Sequence, residues 1–144
     1  MIPNRIVLDT NVCLDLFVFF DPRWQRLLEG MKNGQFEAIT AEHCRNEWLT
    51  VLTYKQLPIT DATRPAMIVA FDELIRCIEP PFTSTIKLPL CSDSDDQKFM
   101  ELARDANAGF LITKDKALLK CAKKTAQSGM FRIVNPETFL KIHP

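Results

Sequence analysis

The chain has 144 residues, 47% hydrophobic and 25% charged, the size and proportions of one globular domain, which excludes a disordered tail or a fibrous repeat. Lys and Arg number 18 and Asp and Glu number 18, so the global charge argues for no polyanionic partner. The longest apolar run, Leu16 to Phe20, is closed on both sides by Asp15 and Asp21 and falls far short of the ~18 residues of a membrane span.

Arg5 to Leu8 is a β-branched run that stops at Asp9-Thr10-Asn11, polar residues suited to a strand end and a turn. Asp21-Pro22 predicts a helix start, after which Trp24, Leu27, Leu28 and Met31 share one face and Gly34 ends it. A short strand over Phe36 to Ile39 follows. Thr40 is the expected cap of a helix whose stripe is Ala41, Cys44, Trp48, Val51 and Leu52, running to about Leu57-Pro58. A third helix places Met67, Phe71, Leu74 and Ile78 together and ends at Pro80-Pro81. The stretch from Phe82 to Ser92 reads as irregular, since Pro89 spoils a central strand. Ser94 or Asp95 opens a helix with Phe99, Leu102, Ala103 and Ala106 inward, closed by Gly109. Phe110 to Thr113 is a strongly apolar strand, and a helix through Leu118, Leu119 and Ala122 comes after it. A last strand, Met130 to Val134, leads into a short helix capped at Asn135-Pro136.

Strands alternating with helices predict one α/β domain over residues 1–144, a Rossmann-like three-layer sandwich on a central parallel sheet. The five cysteines are odd in number and lack a Cys-x-x-Cys pair, which points to reduced thiols and a cytoplasmic location rather than a disulfide framework or structural zinc. Four scattered glycines make neither a dinucleotide-binding turn nor a phosphate loop. From Asp96 to Arg132 eight basic residues face four acids, a local excess that suits either a solvated helix face or a polyanion.

Ligands of open parallel sheets bind beyond the carboxyl ends of the strands. Asp9 follows one strand directly and Asp115 follows another after one residue. Taken singly, each reads more readily as a cap or turn former than as a ligand. Glu47 lies three residues after Cys44 and four before Val51, which places it on the buried stripe or at its edge, paired with Arg45 or Lys55. Asp96 stands three before Phe99 in a first helical turn, where the helix dipole also favours it. Together, four such acids without an evident basic partner repel one another unless a cation sits among them. Carboxylates plus water suit Mg2+ or Mn2+.

In these residues the chain resembles the PIN-domain ribonucleases. Ile6-Val7-Leu8-Asp9-Thr10-Asn11-Val12 is similar to the family's first strand and leading acid, and Glu47 to Leu52 to the helix with the second. Asp93 to Phe99 resembles the third acidic motif, and Leu111-Ile112-Thr113-Lys114-Asp115 the threonine-x-aspartate signature. Ile133 to Leu140 resembles the ending of the bacterial branch described as toxins of toxin–antitoxin pairs. The resemblance implies that Asp9, Glu47, Asp96 and Asp115 hold Mg2+ or Mn2+ and position the attacking water for RNA hydrolysis. Asn11 and Thr113 would orient ligands or water from behind, with Asp93 and Asp95 further out, and Asp95 competes with Asp96 for the inner place. Lys98, Lys114 and Lys116 would hold the RNA backbone. A cognate antitoxin and a homodimer are the implied partners. Two other readings stay open: a phosphohydrolase with Asp9 as covalent nucleophile, and a PIN-like scaffold that cuts nothing.

Overall fold

The computed structural model describes residues 1–144. β1 (Ile2–Leu8) runs into α1 (Thr10–Phe17), and a 3-10 turn (Pro22–Trp24) leads into α2 (Gln25–Lys32). Next come β2 (Glu37–Thr40), α3 (Glu42–Val51), α4 (Arg64–Leu74) and β3 (Ile75–Cys77). A second 3-10 turn (Ser94–Asp96) precedes α5 (Gln97–Asp105), and β4 (Ala108–Ile112), α6 (Lys116–Leu119), α7 (Ala122–Gln127), β5 (Arg132–Val134) and α8 (Pro136–Ile142) complete the chain.

The five strands form one sheet in the order β3-β2-β1-β4-β5, and every pairing is parallel. Alternation along β1 explains the layers. Ile6 and Leu8 face one core, with Val12, Leu16 and Phe17 of α1, Leu27 and Met31 of α2, Trp48 of α3, Phe71 of α4 and Phe139 of α8. Val7 faces the other, with Ile39, Leu111 and Ile133 of the sheet, Phe99, Met100 and Ala103 of α5 and Leu118 of α6. These are the expected three layers, with helices on both faces. No helix is long and apolar enough to cross a membrane. All five cysteines are free thiols, and only Cys77 is exposed.

Several expectations give way to local chemistry. The turn predicted after Leu8 is α1, started by Asp9, whose carboxylate accepts the Thr10 amide at 2.7 Å. The helix bends the apolar run from Leu16 to Phe20 apart: Leu16, Phe17 and Val18 are buried, while Phe19 and Phe20 face solvent. Thr40 does not cap α3, because its backbone is taken up as the last residue of β2. α3 stops at Val51, where the Thr53 hydroxyl donates to the Thr50 carbonyl at 2.6 Å. The helix expected to reach Ile78 ends at Leu74. Its helical phase continues unbroken in the sequence, but the open edge of β2 captures residues 75–77, and the Ile78 amide extends the pairing to the Thr40 carbonyl at 2.8 Å. The helix predicted after Asp115 is two short ones, α6 and α7.

Gly109 lies inside β4 and does not end a helix; Asn107, at φ 55°, makes that turn. A Cβ on Gly109 would stand 2.7 Å from the Pro3 carbonyl oxygen of the neighbouring strand. Gly109→Ala should therefore push β1 and β4 apart and lower stability by about 1–3 kcal/mol, the usual cost of overpacking, read as a lower urea midpoint.

Candidate metal centre

In the order β3-β2-β1-β4-β5 the chain reverses direction of winding between β1 and β4, and a crevice opens beyond their carboxyl ends at such a switch point. Asp9 stands at the end of β1 and Asp115 just past the end of β4. The 3-10 turn before α5 brings Asp96 to the same place. One carboxylate oxygen from each of Asp9, Asp96 and Asp115 can be chosen so that all lie within 4.8 Å of one another.

Thr113 organises two of these acids. Its side chain is fully buried. The hydroxyl donates to Asp9 Oδ2 at 2.7 Å and accepts the Asp115 amide at 2.9 Å, so both its proton and a lone pair are committed. Asp9 is held at its other oxygen by the Thr10 amide, and Asp115 Oδ1 accepts the Ala117 amide at 2.7 Å as the cap of α6. Thr113→Val keeps the shape but removes the hydroxyl, leaving Asp9 Oδ2 and the Asp115 amide without their partner. It should cost about 1–3 kcal/mol of stability and lower Mn2+ affinity about 10–100-fold, measurable by calorimetric titration.

Asp96 is the inner acid of its motif. It is buried, and its Oδ2 has no hydrogen-bond partner. Asp95 is exposed, and the exposed Asp93 caps the turn by accepting the Asp95 amide at 3.1 Å. Burial, the hydrogen bond shared with Asp115 and the charges of Asp9, Asp115 and Asp93 push the Asp96 carboxyl well above the usual carboxylate range. Burial likewise pushes Asp9 up to about 6, although Thr113 and Thr10 donate to it and pull the other way. Glu47 and Asp115 add to the rise. The centre as it stands thus carries more negative charge than its surroundings stabilise.

Glu47 does not join the three. The Thr10 hydroxyl donates to its Oε2, and Lys98 Nζ lies 2.9 Å from its Oε1. The expectation that the acids lack a basic partner is corrected here: Lys98 reaches back from α5, while Arg45 is occupied by Asp72 at 2.8 Å. Lys98 is accordingly tied down rather than free for a phosphate. Lys114 is also engaged, 2.7 Å from Asp15 Oδ2, and its amide donates to Asn11 Oδ1 at 3.3 Å. Lys116 is exposed and enters no ion pair.

Two residues of the site escape sequence reasoning. Thr10 holds Glu47, and the buried Asp15 accepts both Lys114 and the Trp24 indole N–H at 3.1 Å. Their signal is visible only once α1 is recognised as a helix, because Asn11 and Asp15 are then one turn apart on the side that faces Lys114.

The donor set is oxygen only, on three segments, with one buried oxygen unpartnered. Such a set fits a hard divalent cation that keeps part of its water. No curated protein matches the chain. A family model described as PIN domain matches residues 5–117, a stretch that contains every acid of the centre.

Proposed function

The chain belongs to the PIN-domain family, a family of nucleases, and from that premise we propose that it is a Mg2+- or Mn2+-dependent endoribonuclease acting in the cytoplasm. The observation that carries this reading is the convergence of Asp9, Asp96 and Asp115, oxygens within 4.8 Å, around the unpartnered Asp96 Oδ2. Those three carboxylates would hold the ion, which when bound supplies Lewis-acid stabilisation of a phosphoryl oxygen and lowers the pKa of a coordinated water.

The chain's own residues do the rest. Thr113 and the Thr10 amide fix the Asp9 carboxylate with one bond to each oxygen, so that it is held in place before a cation arrives. The α6 cap holds Asp115 by one oxygen and leaves the other available. Glu47 stays outside the three, held by Thr10 and Lys98. Lys116, at the first position of α6 beside Asp115, is placed to contact the phosphate backbone, a contribution that salt weakens.

A toxin role, with an antitoxin as partner and a homodimer as the assembly, is part of the same proposal and is supported by the resemblance of Ile133 to Leu140 to the ending of the toxin branch. Co-purification of the chain with the product of a neighbouring small reading frame tests it.

For the chemistry, purified protein is incubated with single-stranded and structured RNAs in Mn2+, Mg2+ or chelator. Discrete fragments that disappear with chelator are expected. Trapping of a phosphorylated Asp9 would instead identify a covalent phosphohydrolase, and metal binding without cleavage of any RNA would identify a scaffold.

A further inference from the structure

Both oxygens of Glu47 are engaged, as are those of Asp9, but one partner of Glu47 is a cation. Oε2 is taken by the Thr10 hydroxyl and Oε1 by Lys98. The Lys98 ammonium is fixed from a second side by the Asp95 carbonyl at 2.6 Å, and it lies 5.3 Å from the centre of the Phe99 ring. Three-quarters of each side chain of the pair is covered. The same turn that delivers Asp96 to the centre therefore delivers, two residues later, a charged lysine to the acid beside it.

Resting on the metal-dependent reading above, we infer that Lys98 takes the place of a second metal ion, so that the centre binds one divalent cation on Asp9, Asp96 and Asp115 and the ammonium neutralises Glu47. Three acids offer oxygens to a common point and the fourth is neutralised within the protein. One divalent ion and one ammonium supply three positive charges for four carboxylates. A second ion on Glu47 would have to displace the ammonium from both of its acceptors or share the carboxylate with it. Lys98 is a positioning residue in this scheme: it holds Glu47 in place and keeps another cation out.

The test counts ions. Metal-free protein is titrated with Mn2+ by calorimetry, and electron paramagnetic resonance reports whether bound ions are coupled. Wild type is expected to bind one ion with an uncoupled six-line spectrum. Glu47→Gln should still bind one ion, with affinity changed less than about threefold, well under the tenfold that corresponds to 1.4 kcal/mol. Lys98→Met should bind two, with the broadening of a pair ~3.5–4 Å apart, and Lys98→Arg should return to one. Two ions on wild type, loss of the ion in Glu47→Gln, or a single ion on folded Lys98→Met would each overturn the inference. If Lys98→Met does not fold, the wild-type and Glu47→Gln counts still decide it. Wild type that binds no ion strikes down the underlying metal-dependent reading, an outcome distinct from wild type that binds two.

Discussion

Asp96→Asn is expected to abolish RNA cleavage, by about a thousandfold or more, while making the metal-free protein more stable. The two effects have one origin. Asp96 Oδ2 is buried and unpartnered, and the carboxyl stands against Asp9 and Asp115. An amide has the same shape, no charge, and an N–H to donate to Asp115. Repulsion falls, and the melting temperature of the metal-free protein at pH 8 should rise by several degrees, since ~1 kcal/mol moves a domain of this size by about 2–4 °C. The same change deletes one of the three anionic ligands of the proposed centre. A thousandfold loss corresponds to ~4 kcal/mol of transition-state stabilisation, within what a bound ion supplies. Such a trade of stability against activity is typical of acids gathered for a ligand. Equal loss of stability and cleavage would mean that Asp96 is a structural residue.

The second large effect is a metal-induced thermal shift that grows with pH. The Asp9 carboxyl moves from 3.8 to about 6 on folding. A raised pKa means that the native state binds more protons than the unfolded chain, so stability falls as pH rises. Asp9's contribution is fully present below pH 3.8 and lost as pH passes through about 6. At 1.36 kcal/mol per unit it amounts to ~3 kcal/mol, and Asp96, shifted in the same direction, continues the loss above it. A divalent ion reverses the sign, because it binds the deprotonated carboxylates. At about 100 times its dissociation constant it adds ~2.7 kcal/mol, which is about 5–10 °C for a domain of this size. Scanning calorimetry at pH 5 and pH 8, with chelator or with Mn2+, should show metal-free protein melting lower at pH 8 and the Mn2+ shift small at pH 5. A shift independent of pH would separate metal binding from these carboxylates.

What was legible in advance was whatever a single stretch could carry. The apolar runs ending at Leu8 and Thr113 predict strands, and the strand-end rule then puts Asp9 and Asp115 in one crevice. Asp96 was readable from its distance to Phe99, although it sits in the 3-10 turn ahead of α5 and not within the helix. Features that depend on an absent neighbour were hidden. β3 is a strand because the edge of β2 is there to pair with it, a fact its own helical periodicity conceals. Lys98 and Glu47 are 51 residues apart, and no spacing rule links them. Asp15 read as the polar boundary of an apolar run, and only α1 turns it inward to Lys114 and Trp24.

The bond between Thr113 and Asp9 spans 104 residues, and it joins the two strands on either side of the switch point. While translation is under way, β1 to β3 can pair before β4 exists, but Asp9 then lacks the hydroxyl that fixes it and Asp115 has not been made. The cluster of Asp9, Asp96 and Asp115 therefore cannot be assembled until the fourth strand has docked against the first.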